Sequence, residues 1–146
     1  MNICEHKLAW RWTDIKYAVL PDNVMMQLIP LEHCEAQVRH QMAMKLLGKD
    51  SLSLLFTQIK IKTDGLSSAE GTIWLEEQQP ILNTEVVLSW DSEAALKTTW
   101  GVFSKYWQEF CYPASDDLVV FSESENWALL YHHSEEFHFG KSSANA

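Results

Sequence analysis

The chain is short of glycine and cysteine, and both shortages limit the chemistry that it can support. It has 5 glycines in 146 residues, and it lacks the glycine motifs that cradle phosphates or expose a nucleophilic serine (GxGxxG, GxxxxGKS/T and GxSxG). Its three cysteines, Cys4, Cys34 and Cys111, are odd in number and widely spaced. They build neither a disulfide framework nor a CxxC metal pair, and we expect no cofactor and no metal.

Basic residues and long apolar runs are also scarce. The 11 Lys and Arg against 20 Asp and Glu give a formal net charge of −9, which disfavours nucleic acid because surfaces that bind phosphate are basic. The longest apolar runs, such as residues 118–121, fall far short of the ~20 residues that span a bilayer. No apolar segment follows a basic start, so no signal peptide is predicted. We therefore expect a cytoplasmic protein that binds neither nucleic acid nor membrane.

Apolar residues are plentiful enough for a core. Hydrophobic residues make up 47% of the chain, and 7 of them are tryptophans. A chain of this length buries about 70% of its unfolded surface, so it needs no disulfide or metal to hold a core. We predict a single globular domain over residues 1–140 and a disordered polar tail over residues 141–146.

The acidic charge is concentrated in the second half of the chain. Residues 1–63 carry a net charge of +2, whereas residues 64–146 carry −11. This asymmetry predicts an acidic face that attracts a basic partner. The alternative is that the charge only keeps a Trp-rich domain in solution. The sequence leaves both interpretations open.

The first half of the chain predicts mainly helices. Residues 8–20, with their alternating aromatics, indicate a short strand or irregular segment, and residues 21–28 a short helix. Residues 31–47 predict the longest helix, which residues 52–56 are expected to extend. Residues 58–62 alternate with period two and predict an edge strand. The apolar positions of the long helix predict one buried stripe: Leu31, Cys34, Val38, Met42 and Leu46.

The second half predicts an antiparallel sheet. Two segments, residues 72–75 and 85–90, have strand-like patterns, and residues 94–97 would return as the second arm of a hairpin. Three further apolar segments predict a closing antiparallel meander: residues 118–121, 126–131 and 136–139.

One helix interrupts these strands. Thr99 is placed to cap a helix that runs to about residue 111, before Pro113. Four aromatics share one face of this helix and predict that it packs on the sheet: Trp100, Phe103, Trp107 and Phe110. The predicted class is therefore α+β, with an N-terminal helical part and an antiparallel sheet packed by this aromatic helix.

Three histidines lie close together near the C-terminus. On a strand, His132 and His138 would share a face with Glu136, and these types of side chain ligate metals. His133 would point to the opposite face. Residues 132–135, however, predict a turn, which would break that alternation. No HExxH motif is present either. We favour solvated turn histidines over a metal site.

Two other candidates for chemistry have simpler explanations. Asp116 and Asp117 could bind a cation or act as acid and base, but adjacent side chains usually point apart, and Asp-rich loops turn the backbone. Cys111 follows the aromatic helix, where the helix dipole disfavours a thiolate. We expect a turn for the aspartates and a buried structural thiol for the cysteine.

Part of the second half resembles a known group of proteins. The segment 98–117 (TTWGVFSKYWQEFCYPASDD), followed by 127–133 (WALLYHH) and 137–140 (FHFG), resembles small bacterial immunity proteins of contact-dependent inhibition and related polymorphic toxin systems. Residues 1–80 show no such resemblance. It implies a cytoplasmic protein that binds one cognate toxin domain and blocks it, and it supplies no catalytic residues.

The charge pattern and the resemblance lead to one hypothesis about the binding surface. Nuclease toxins bind a polyanion through a basic cleft, which an acidic inhibitor would complement. Exposed Trp or Tyr side chains would serve as anchors, because such residues are frequent hot spots. We predict that six carboxylates face the toxin domain: Asp116, Asp117, Glu123, Glu125, Glu135 and Glu136.

Two other functions remain open. The tryptophan count is consistent with a non-catalytic adaptor or a homodimeric interaction module, and the chain is expected to be a monomer or weak homodimer. A small hydrolase is the third possibility, ranked below these because we expect no enzyme. It would require a cleft that gathers Asp116 or Asp117 with a histidine.

Overall fold

A computed structural model describes residues 1–142 and shows the predicted α+β class. Seven strands form one antiparallel sheet in the spatial order first, fourth, third, fifth, sixth, seventh, second. Numbered along the chain, the strands are β1 (Ile29–Pro30), β2 (Phe56–Lys62), β3 (Glu85–Ser89), β4 (Ala95–Thr99), β5 (Leu118–Phe121), β6 (Trp127–His132) and β7 (Glu136–Ser142). The predicted β3–β4 hairpin, the β5–β6–β7 meander and the edge strand β2 are confirmed.

Helices cover both faces of the sheet. They are α1 (Trp10–Thr13), α2 (Asp22–Met25), α3 (His33–Lys45), α4 (Ser68–Gln78), α5 (Trp100–Lys105) and α6 (Trp107–Phe110), after a 3-10 turn at Ile3–Glu5. The helix α3 packs on one face, here called the α3 face, and the other five pack on the opposite, aromatic face. None of the helices in the described part of the chain is long and apolar enough to cross a membrane.

The aromatic face holds the larger core. The four aromatics of the predicted stripe are at most 3% exposed, so the stripe is confirmed. Thr99 caps α5 by accepting a hydrogen bond from the N–H of Val102, as expected for an N-cap. The predicted single helix is, however, divided at Tyr106, whose backbone angles (φ −116°, ψ 28°) are not helical. Each buried aromatic stabilises the fold by roughly 1.5–3 kcal/mol.

The α3 face has a smaller core, in which Leu31 is buried and Met42 and Leu46 are partly buried, as the predicted stripe requires. The stripe is wrong at its other two positions. Cys34 is exposed and Val38 is 49% exposed, whereas Ala36 and Ala43 are fully buried. Alanine brings the helix backbone close to the sheet, where Val119 and other branched residues supply the bulk. The helix itself, over His33–Lys45, agrees with the predicted range.

The most consequential error of the sequence interpretation concerns residues 72–75, which lie in α4 rather than in a strand. The side chain of Ser67 accepts the N–H of Glu70, and the Glu70 carboxylate accepts the N–H of Ser67. This capping box fixes the start of the helix. Gly71 lets α4 approach the aromatic helices, because a Cβ there would lie 2.4 Å from the Trp107 ring.

Three smaller predictions also need correction. Of the two alternatives for residues 8–20, the strand is wrong, because the segment is irregular apart from the short helix α1. Residues 52–56 do not extend α3, because Leu52 pairs back with Leu47 and β2 starts at Phe56. The first two residues of the predicted tail, 141 and 142, belong to β7. The remainder of that tail, 143–146, lies outside the described residues.

Candidate functional site

The two adjacent aspartates of the loop between α6 and β5 point in opposite directions, as expected for a turn. Asp116 is 6% exposed and binds the guanidinium of Arg11 through both oxygens, at 2.6 Å and 3.0 Å. The backbone N–H of Tyr112 also donates to this carboxylate, at 2.9 Å. The prediction that Asp116 faces a partner is therefore wrong, since its charge is buried against Arg11 to hold the loop.

Asp117 lies at the surface and fixes the other side of the same loop. Its Oδ1 accepts the backbone N–H of His133 at 2.9 Å, and Nδ1 of the His133 ring lies 2.9 Å and 3.2 Å from the two carboxylate oxygens. The N–H of Ala114 donates to the carbonyl of His133 at 3.3 Å. Asp117 thereby ties the start of β5 to the end of β6.

The C-terminal histidines form a stack that the strand alternation explains only in part. The favoured interpretation as solvated turn histidines is wrong for two of the three, because His132 ends β6 and His138 is buried in β7. These two share the α3 face, and their rings are nearly parallel with centroids 5.9 Å apart. His133 lies in the turn after β6, and its ring stacks on His132 at 4.2 Å. Glu136 accepts from His138 at 3.0 Å, and this bond lowers the pKa of Glu136, whereas burial lowers the pKa of His138.

Of these groups, His132 and His133 line one cleft together with Asp117, and we call it the histidine cleft. Its volume is about 330 Å³. Asp50, whose φ of 57° is left-handed, contributes a carboxylate whose Oδ1 lies 3.7 Å from Nε2 of His132. The cleft is lined by His40, Met44, Leu47, Gly48, Asp50, Ser51, Trp90, Asp117, Leu130, His132 and His133. A cleft that joins Asp117 to histidines is the feature expected for the hydrolase alternative.

The remaining predicted partner residues do not form one surface with Asp117. Glu135 and Glu136 lie at the same end of the sheet as Asp117, but Glu123 and Glu125 follow β5 at the opposite end. The four residues of β5 separate the two ends by roughly 13 Å. The predicted six-residue surface is therefore divided by the strand that runs through it.

Glu123 and Glu125 are also occupied by local contacts. Glu123 lies 3.1 Å from Nε of Arg39 and 3.4 Å from Nζ of Lys97, so basic groups offset its charge. Glu125 accepts the indole N–H of Trp127 at 2.7 Å. This end of the sheet is not a concentrated acidic surface.

The structure instead exposes an aromatic cluster, here called the Trp10 patch, that consists of Trp10, Tyr17 and Tyr112. The centroid of the Trp10 ring lies 4.9 Å from that of Tyr17 and 5.7 Å from that of Tyr112, and both contacts are edge-to-face. Trp10 is 40% and Tyr17 56% exposed. From the sequence we expected only that some Trp or Tyr side chains would be exposed as anchors. The cluster itself was not predicted, because Tyr112 is about 100 residues from Trp10 and Tyr17 in the sequence.

The buried side chain of Arg11 contacts two rings of the Trp10 patch. Its guanidinium lies 4.0 Å from the centroid of Tyr112 and 5.4 Å from that of Trp10, while it pairs with buried Asp116. The exposed side chains of Ile15 and Val19 flank Tyr17 along the chain and extend the apolar surface. The patch is therefore a preorganised aromatic surface rather than a set of loose side chains.

Acidic charge accompanies the helices of the aromatic face. The helix α4 carries Glu70, Glu76 and Glu77 and no Lys or Arg, and Glu109 lies on α6 next to α1. Burial raises the pKa of Glu109. By contrast, the strand β2, which forms one edge of the sheet, carries two lysines and no acid. The helix α4 is thus an acidic element, made of other residues than those chosen from the sequence.

Cys111 has the structural role predicted for it. It is 3% exposed, and burial raises the pKa of its thiol well above the ordinary value. Such a thiol stays protonated and unreactive.

Comparison with known proteins gives one finding. The model of a family described only as "Protein of unknown function (DUF2947)" matches residues 70–140, which run from α4 into β7 and make up just under half of the chain. This region is therefore similar to that family, and it includes Asp117 and the histidine stack. No curated protein and no solved structure matches the chain.

Proposed function

We propose that this protein is a non-catalytic binding protein of the cytoplasm that docks one basic partner protein. Following the resemblance to immunity proteins, we propose that the partner is a toxin domain, which binding neutralises. The observation that carries the proposal is the Trp10 patch. Exposed, contiguous aromatic side chains on a rigid base are uncommon on surfaces that bind nothing.

The composition of the patch supports docking of a protein. Trp, Tyr and Arg are the residues most enriched among interface hot spots. The Arg11–Asp116 pair and the ring contacts hold Trp10 and Tyr112 in place, so little conformational entropy is lost on binding.

The charge of the chain supports a basic partner. The net charge is −9, and α4, on the same face of the sheet as α1, presents exposed Glu70 and Glu77 around Ile73, which is 60% exposed. Complementary charge accelerates association and excludes acidic competitors.

The first experiment places a photo-cross-linking amino acid at Tyr17 in cells of the natural host, with Gln41 on exposed α3 as the matched control position. The captured protein is then expressed alone and together with this chain. We expect a basic protein that inhibits growth, with growth restored by the wild type and not by Trp10→Ala/Tyr17→Ala. Equal capture from position 41, a harmless captured protein, or equal rescue by the double variant would contradict the proposal.

A second experiment separates local charge from total charge. Glu70→Gln/Glu77→Gln and Gln37→Lys/Gln41→Lys both raise the net charge by two, but on opposite faces, and Gln at position 70 retains the capping box. We expect the first pair to slow association with the captured partner several-fold at low salt, and the second to slow it much less. Equal slowing would show that α4 does not face the partner.

A small hydrolase is a second candidate, favoured specifically by the histidine cleft. Ester and phosphodiester substrates that release nitrophenol test it directly. Turnover that Asp117→Asn abolishes would favour the hydrolase over the binding protein.

If the chain is instead a homodimeric module, the Trp10 patch would bind a second copy of the same chain. Analytical ultracentrifugation of the wild type and of Trp10→Ala/Tyr17→Ala distinguishes the two. We expect a monomer in both cases, whereas a dimer that the double variant dissociates would assign the patch to a second copy.

A further inference from the structure

We infer that the histidine cleft binds a divalent transition-metal ion through Asp117, His132 and His133. One carboxylate oxygen of Asp117 and one ring nitrogen of each histidine lie within 4.8 Å of one another. A tetrahedral ion with bonds of about 2.0 Å brings its donors to roughly 3.3 Å apart. Small side-chain rotations therefore suffice to close the three donors around an ion.

The surrounding contacts fix the orientation of both histidines. The N–H of Ser134 donates to Nδ1 of His132 at 3.1 Å, and the Ser134 hydroxyl lies 2.6 Å from the same nitrogen. The backbone N–H of His133 is fixed by Asp117. Because Nδ1 of His132 accepts the Ser134 N–H, His132 must give up this bond when either of its ring nitrogens binds an ion.

Two further features of the cleft favour a cation. Asp50 places a fourth potential donor, its carboxylate oxygen Oδ1, 3.7 Å from Nε2 of His132. His40, which lines the same cleft from α3, has a buried Nδ1 that makes no hydrogen bond within the described residues. A buried ring nitrogen without a partner is unusual, and here it belongs to a residue of the cleft lining.

The donor types define the class of ion. Two imidazoles and one carboxylate suit Zn²⁺ and its neighbours in the first transition row rather than Mg²⁺ or Ca²⁺, which prefer oxygen ligands alone. Three protein donors leave a coordination position open to a water or to a group from outside.

The test titrates the untagged, chelator-stripped full chain with ZnCl₂ by isothermal calorimetry. We expect one ion per chain, with affinity lowered at least about tenfold in His132→Gln and in His133→Gln. The control His33→Gln removes an exposed histidine at the start of α3 and should leave affinity unchanged. Absence of binding, or equal losses in all three variants, overturns the inference.

A measurement on the wild type does not depend on how the variants fold. Nuclear magnetic resonance follows the imidazole signals of all six histidines during the zinc titration. We expect the signals of His132 and His133 to shift together and saturate at one equivalent, with that of His33 unmoved. Shifts confined to other histidines would place the ion elsewhere and overturn the inference.

Discussion

The two faces of the sheet are covered in different ways. Five short helices pack large aromatic rings against the aromatic face, whereas the α3 face receives one longer helix through alanines. The aromatic side carries the exposed Trp10 patch and the glutamates of α4, while the α3 side contains the histidine cleft. The comparison teaches that one sheet separates two surfaces of different chemistry, and we propose a protein partner for one and a cation for the other.

The loop between α6 and β5 connects these two surfaces, and its two aspartates give the largest expected contrast. Asp116→Asn leaves Arg11 as an uncompensated buried charge, so we expect it to lower the free energy of unfolding by about 3–5 kcal/mol. Asp117→Asn breaks a surface contact and should cost about 1 kcal/mol or less. Urea denaturation measures both, and similar losses would refute the difference in burial.

The next contrast concerns close packing on the α3 face. Ala43→Leu forces bulk between α3 and the sheet and should cost about 1–3 kcal/mol. Val38→Ala, on the stripe that the sequence wrongly predicts as buried, should change stability by less than about 0.5 kcal/mol. A larger loss of stability in Val38→Ala would show that Val38 is buried, as the sequence predicts.

On the aromatic face, a glycine, Gly71, allows α4 to lie close to the Trp107 ring of α6. Gly71→Ala adds a Cβ that meets the Trp107 ring, and we expect a net loss of roughly 1–2 kcal/mol although alanine favours a helix. The control Gly65→Ala has no heavy atom within 4 Å of the added Cβ and should be close to neutral. Thermal unfolding of the two variants compares them, and a stabilised Gly71→Ala would disprove the tight crossing.

The smallest expected effect is the pH dependence caused by His6 beside the aromatic core. Burial lowers the pKa of His6, whose Nδ1 accepts the N–H of Leu8 and whose Nε2 donates to the carbonyl of Ala95. The unfolded chain binds the proton more tightly, so this stability is present above the ordinary pKa of 6.5 and is lost as pH falls below it. Urea midpoints between pH 7.5 and 5.5 should fall less steeply in His6→Gln, and an unchanged slope would exclude His6 as the cause.

Local signals decided which parts of the fold were predictable. The aromatic stripe, the Thr99 cap and the β3–β4 hairpin were predicted because each depends on neighbours a few residues apart. The helix α4 was missed although its capping box, Ser67 with Glu70, is visible in the sequence, because the apolar run 72–75 resembles a strand. Short apolar runs do not distinguish the two structures.

The candidate sites were less predictable because they depend on long-range contacts. The turn at Asp116–Asp117 was predicted, but the partner of each carboxylate was not: Arg11 is 105 residues from Asp116, and His133 is 16 residues from Asp117. Charge counted along the chain also misplaced the acidic surface, since β5 runs between Asp117 and Glu123 and places them at opposite ends of the sheet.

The sequence by itself determined the α+β class, the antiparallel C-terminal sheet, the buried aromatic stripe and the net acidity, because composition and short-range periodicity are properties of the chain alone. Only the tertiary structure decided that Asp116 is buried, that Trp10, Tyr17 and Tyr112 meet at the surface, and that Asp117 joins two histidines in a cleft. Those juxtapositions follow from strand order and helix packing, which bring together side chains that are far apart in sequence.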